Sequence, residues 1–223
     1  MSRRRKKLSY VVIGLGRFGT NIVKTLAACK ASVLGIDINE ECVRNASEFT
    51  QNVVIADATR QNVLNELGVG QIDYAVVAIG KNLQASILTV LNLKNLNVPR
   101  ITVRVDEERH KEIFIRLGVT DVIMPEEASA ISFANQILSD SVLDFYPIDD
   151  DYSLVKISVG ENFEPKSIIE LNVREVFDVN IVGIIKGDAF SIPRATDIIS
   201  PGEVLVVVGM KDDYTKFDNF LNK

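Results

Sequence analysis

The sequence predicts an α/β fold, a Rossmann-like doubly wound parallel sheet followed by a small α+β C-terminal lobe. Three observations carry that expectation. From Leu8 to Pro125, short β-branched apolar runs alternate with longer helical patterns, and parallel neighbours need such crossovers on both faces of a sheet. The first run opens directly into Gly14-Leu15-Gly16-Arg17-Phe18-Gly19, a phosphate-type loop between strand and helix. Beyond about residue 150 the texture becomes β-rich with tight turns.

The runs at 10–13, 32–36, 52–56, 74–79, 100–105 and 121–124 are read as six strands in Rossmann order. Between them, 18–29, 40–48, 60–67, 82–96 and 107–117 have helical patterns. Residues 126 to 145 are also read as helix, because Ile131, Ala134, Ile137, Leu138, Ser141, Val142 and Phe145 form one stripe. Tyr146-Pro147-Ile148-Asp149-Asp150-Asp151 breaks the periodicity and is the expected linker. Strands are then expected at 154–159, 180–186, 189–192 and 203–208, with helices near 166–177 and 212–222. The expected division is a nucleotide-binding domain over 1–125, a crossover helix over 126–146 and a small lobe over 147–223. A lobe of that size is marginal alone, so packing or dimerisation is expected.

The composition bounds the chemistry. With 223 residues, 47% hydrophobic and 25% charged, the chain has material for a sizeable core. Its longest apolar runs, such as 76–79 and 204–208, are strand-sized and far short of the roughly 20 residues that cross a bilayer. A soluble, cytoplasmic protein is the expectation. Cys29 and Cys42 lack ligand or disulfide spacing and are read as buried structural thiols. A net charge of −5 argues against a nucleic-acid partner. The basic tail Arg3-Arg4-Arg5-Lys6-Lys7 is either a frayed terminus or a tether toward an acidic partner or lipid surface. The single histidine, His110, falls on a charged helical face, and no Walker-type loop occurs. The chain is therefore expected not to be an enzyme.

The candidate nucleotide site follows from the strand ends. Gly14, Gly16 and Gly19 put free N–H groups and a helix dipole against phosphate. Arg17 adds a cation that close backbone approach alone does not need. Asp37 ends the second strand 18 residues beyond Gly19, where a carboxylate accepts from ribose hydroxyls and disfavours NADP. Phe18, Ile38, Ala58, Ile79, Gly80 and Asn82 complete the set around the same edge. Asp57 is read as an acceptor for the adenine amino group or, with Thr59, as a helix cap. Arg104 stands for either a buried ion pair or a phosphate contact. Glu126 stands for either a helix-start carboxylate or a divalent-cation ligand.

Taken in order, Gly14 to Gly19, Ile36-Asp37, Ala56 to Thr59, Ala78-Ile79-Gly80 and Met124-Pro125-Glu126 resemble the RCK (KTN) family, TrkA-N plus TrkA-C regulators of Ktr/Trk-type potassium transport. Ile168 to Arg174, Asn180 to Ile184 and Pro201 to Gly209 resemble that family's C-terminal lobe. The resemblance implies a nucleotide-gated regulatory subunit: homodimers assembled as a homo-octameric ring beneath a membrane-embedded potassium-translocating subunit, at the inner face of the membrane. It implies that ATP or ADP, or NADH and NAD, compete for the pocket and change the angle between lobes. Arg17 would contact the terminal phosphate, Asp37 the ribose, and Glu126 a Mg²⁺ or Ca²⁺ ion. It further implies a cyclic di-AMP site at Ile168, Ile169, Val173, Arg174, Asn180 and Pro193, although an ordinary apolar core with a surface arginine explains these residues too. Asn172 and Val179 offer weaker contacts than relatives carry there. The alternatives are an NAD-dependent Rossmann oxidoreductase, for which no proton donor is visible, and a free-standing nucleotide sensor.

Overall fold

A computed structural model describes residues 8–223. The basic tail therefore lies outside the described residues. The chain divides after Glu126 into two units, each with its own core.

The first unit runs β1 (Ser9–Ile13), α1 (Arg17–Ala28), β2 (Ser32–Asp37), α2 (Glu40–Ser47), β3 (Val53–Ile55), α3 (Gln61–Glu66), β4 (Tyr74–Val77), α4 (Leu83–Asn95), β5 (Arg100–Arg104), α5 (Glu108–Arg116) and β6 (Asp121–Ile123). The strands pair in the order β3-β2-β1-β4-β5-β6, all parallel. Successive side chains on a strand point to opposite faces, and both faces here are apolar. Val11 and Ile13 of β1 join Val77, Val103, Leu64, Leu93 and Phe114 in one core, whereas Val12 joins Val33, Val76, Val23 and Val43 in the other. Thus α3, α4 and α5 cover one face and α1 and α2 the other. The strand order reverses between β1 and β4, which opens a crevice at the carboxyl edge.

The second unit takes up most of α6 (Pro125–Ile137), then β7 (Val142–Pro147), β8 (Tyr152–Ser158), β9 (Lys166–Ser167), α7 (Ile168–Leu171), α8 (Val173–Phe177), β10 (Asn180–Lys186), β11 (Ala189–Ser191), β12 (Ile198–Ile199), β13 (Val204–Met210) and α9 (Lys211–Leu221). Five strands form an antiparallel sheet in the order β11-β10-β13-β8-β7, and β9 pairs with β12. Val155, Ile157, Leu205 and Val207 bury one face against Tyr214, Phe217 and Leu221 of α9. Asp218, also buried, accepts from Ser139, Ser141 and Asn222, which fastens α9 to the segment between α6 and β7.

Three expectations are corrected. The helix expected over 126–145, carried into the crossover region 126–146, ends at Ile137, and Val142 to Pro147 form an edge strand. A bulge between Val142 and Asp144 lets Val142 and Phe145 both reach the core. Ser132 and Gln136 on α6 donate to the carbonyls of Phe145 and Leu143 on that strand. The expected linker at 146–151 is a hairpin turn, in which Asp149 Oδ1 accepts from the Asp151 and Tyr152 amides. The helix near 166–177 is two short helices broken at Asn172, whose backbone is left-handed with φ 43°.

Candidate nucleotide site

At the carboxyl edge of the parallel sheet lies a cavity of about 520 Å³, inside the range of roughly 300–1,000 Å³ usual for small-molecule and cofactor sites. The glycine loop forms one wall. Gly14 has φ +94°, and a Cβ there would sit 2.7 Å from the Ala78 carbonyl carbon. A Cβ on Gly19 would sit 1.8 Å from the Gly14 carbonyl oxygen. Both glycines are thus demanded by the chain's own packing. Gly16 is different: its φ of −63° suits any residue, and a Cβ would meet nothing within 4 Å. Gly16 is the N-cap of α1, with no side-chain cap and no acidic residue in the first turn, so the positive end of the helix is uncompensated there.

Asp37 is held from two sides. Its Oδ2 accepts from the Leu15 amide at 2.6 Å and its Oδ1 from the Asn39 amide at 2.8 Å, so the carboxylate is fixed at the cavity wall. Asn39 in turn caps α2 through the amides of Glu41 and Cys42. Asp57 also lines the cavity. Its Oδ1 accepts from both the amide and the hydroxyl of Thr59, at 3.0 and 2.6 Å, and Arg60 lies 3.3 Å from Oδ2. The Thr59 hydroxyl bond is the chief reason its carboxyl is held below the ordinary value of 3.8. Asn82 caps α4 through the Ala85 amide and shares the wall with Ile38, Ala58, Ile79 and Gly80. Arg17 is exposed at the cavity and enters no ion pair among the described residues.

Arg104 forms the ion pairs that one of its readings expects. Its Nη2 donates to Asp106 Oδ1 at 2.9 Å and Glu126 Oε1 at 2.7 Å, while the residue also lines the cavity. Glu126 is therefore engaged by a cation of the protein itself. Among the described residues, no three His, Cys, Asp or Glu side chains are grouped as a metal site.

Two members of the expected set stand elsewhere. Phe18 does not line the cavity; its ring lies under the Arg104 guanidinium, 5.7 Å from centroid to Cζ. Gly19 lies against Gly14, where it lets helix and loop approach each other. Neither cysteine is fully buried: Cys29 is exposed at the end of α1, and Cys42 is half-buried at the cavity wall, its thiol pushed up mainly by that partial burial and then by Asp37 and Glu41. His110 is half-buried rather than solvated and lines an adjoining cavity of about 270 Å³.

Cavity-lining residues that the sequence did not assign to the site include Asn39, Cys42, Lys81, Ala85 and Thr89. Thr89 carried a signal, a hydroxyl on the apolar face of α4. It is fully buried and its Oγ1 has no hydrogen-bond partner, as is also true of Ser86 Oγ and Arg104 Nε.

The TrkA-N domain family matches residues 10–125, and the TrkA-C domain family matches residues 153–222. The chain belongs to the TrkA-N/TrkA-C family. It is 38% identical over 217 residues to the Ktr system potassium uptake protein A of Bacillus subtilis, covering 97% of this chain and 98% of that one. It is 36% identical over 213 residues to the Ktr system potassium uptake protein C of the same organism, covering 95% and 96%. The solved RCK domain of GsuK superposes with a TM-score of 0.67 at 15% identity, over all of this chain and 49% of that longer one, which establishes the shared fold. In this TrkA-N/TrkA-C chain, no helix among the described residues is long and apolar enough to cross a membrane.

The residues expected to hold cyclic di-AMP lie in the TrkA-C unit. Val173 belongs to its core, and Ile168, half-buried, packs against that core. Ile169, Arg174 and Asn180 are exposed, and Pro193 is half-buried.

Proposed function

We propose that this chain is a nucleotide-sensing gating subunit of a potassium-translocating membrane protein, and that it is not an enzyme. The single observation that carries the nucleotide reading is Gly16. The protein's own packing explains Gly14 and Gly19, whereas Gly16, the N-cap of α1, stands at the cavity in open space where the protein itself does not require a glycine. Such a position suits close approach of phosphate to backbone N–H groups. Asp37, anchored at the wall, fits the ribose of ATP, ADP or NAD and disfavours a 2′-phosphate. Two relatives covered over nearly their full length are named Ktr system potassium uptake proteins, which supports the transport role. A GsuK channel of the same fold has been solved bound to NAD.

In this reading Arg17 senses phosphate number. A guanidinium free of other partners gains a charge-assisted bond from the terminal phosphate of ATP that ADP leaves distant, and only such differential contact shifts a two-state equilibrium. The chain works on the inner face of the membrane as a homodimer assembled into an octameric ring. The exposed Ile131, Phe133 and Ile137 of α6 suit subunit packing. Glu126 becomes a Mg²⁺ or Ca²⁺ ligand in this scheme only when Arg104 releases it. Cyclic di-AMP binding is assigned to Ile168, Ile169, Val173, Arg174, Asn180 and Pro193, of which Ile169, Arg174 and Asn180 are exposed.

Calorimetric titration with ATP, ADP, NADH and cyclic di-AMP tests the proposal. Saturable ATP and ADP binding with different affinities is expected; no heat from any of them overturns it. Turnover of NAD with a small hydroxy or amino acid would instead favour an oxidoreductase. Failure to co-purify with a multi-span membrane protein would favour a free-standing sensor.

A further inference from the structure

Arg104 is a cation with more acceptors than one nitrogen serves well. Its Nη2 alone carries Asp106 and Glu126, while its buried Nε has no partner. Its Nη1 faces Gly80, 3.5 Å from where a Cβ would stand, at the shared wall of the two cavities. A guanidinium presents five donors in a fixed fork that matches an anion in a bidentate manner, and here the fork is used on one prong. The charges are also unequal, with two carboxylates on one cation. An incoming phosphate therefore meets a trio of net negative charge unless a carboxylate leaves. Glu126 is the one free to leave: its side chain is 65% exposed, against 33% for Asp106 and 18% for Arg104. A carboxylate regains hydration on leaving, whereas the mostly buried guanidinium keeps Asp106 and has donors left for the phosphate.

We infer that Arg104 exchanges partners, so that a nucleotide phosphate displaces Glu126 from the guanidinium and Glu126 acts as a built-in competitor that lowers phosphate affinity. This rests on the nucleotide reading above and adds to it a regulation of the same site. Glu126 is the second residue of α6, so the displaced carboxylate is covalently part of the helix by which the chain leaves the first unit.

The test is calorimetry of ATP and of adenosine in EDTA at low salt, with wild type, Glu126→Gln and, independently, Asp106→Asn. EDTA removes any contribution of Glu126 as a metal ligand, which would act with the opposite sign. Both variants are expected to bind ATP about two- to fivefold more tightly than wild type, the scale of a partly exposed ion pair, with the gain shrinking as salt rises. Adenosine, which has no phosphate, is expected to show no gain. Equal or weaker ATP binding by Glu126→Gln overturns the competition. An equal gain for adenosine overturns it too, since that gain would come from the loop and not from phosphate. A flat ATP titration of the wild type is a separate result: it overturns the nucleotide reading, and this inference with it.

Discussion

Replacing Gly16 by alanine adds a methyl group that meets nothing within 4 Å in the protein, at a backbone conformation open to any residue. Two effects on folding then offset. Alanine restricts the unfolded chain and stabilises by about 0.4–1 kcal/mol; as an N-cap it is poorer than glycine by roughly 0.5 kcal/mol. The melting temperature is expected to stay within about 2 °C of wild type. Binding behaves otherwise, because Gly16 lines the cavity and the methyl crowds the approach of phosphate to the loop. Overpacking of about 1–3 kcal/mol corresponds to a loss of roughly fivefold or more in ATP affinity. Gly19→Ala reverses the pattern. Its methyl would lie 1.8 Å from the Gly14 carbonyl oxygen, so the loop must shift, and melting falls by about 4 °C or more. Scanning calorimetry and ATP titration of both variants read the two quantities separately. Wild-type ATP affinity in Gly16→Ala, or a melting loss as large as that of Gly19→Ala, would refute the assignment of Gly16 to the ligand.

Arg17→Ala is expected to weaken ATP more than ADP, and equal losses by calorimetry would remove Arg17 as the sensor of the terminal phosphate. The lowered Asp57 carboxyl contributes stability that is full above the ordinary carboxylate range and is lost as pH falls through the lowered value. Thr59→Val should return that titration upward toward 3.8, as followed by carboxyl NMR; an unmoved titration contradicts the hydrogen-bond cause. Asp218→Asn should cost about 1–3 kcal/mol, because three donors converge on a buried carboxylate. Denaturant melting that leaves the second unit unchanged would disprove that fastening role.

The first unit was legible because its signals agree across levels. Val11-Val12-Ile13 is apolar on both faces, as a strand covered by helices on both sides must be, and the glycine loop and Asp37 lie at strand ends by register. The second unit misled where tertiary structure reshaped periodicity. The bulge before Asp144 puts Val142 and Phe145 on one face at a spacing of three, which imitates a helix. Pro147 with three aspartates reads as a linker, yet an aspartate that bonds amides two and three residues on builds a turn just as well. Within the site, Arg104 forms the ion pairs that local sequence could offer only as one alternative, whereas Asp57 accepts from Thr59 within its own turn and does not cap α3, whose N-cap is Arg60. Phe18 and Gly19 were drawn into the site by the motif, whereas a motif cannot tell a glycine needed by the fold from one needed by a ligand. That distinction required the Cβ geometry of Gly14, Gly16 and Gly19.

If phosphate number in this cavity controls ion movement, potassium flux into vesicles carrying this chain with its co-purified membrane subunit reads that control directly. Flux is expected to differ between saturating ATP and saturating ADP, with the difference abolished by Arg17→Ala. Flux that is the same with ATP, with ADP and with no nucleotide would contradict it.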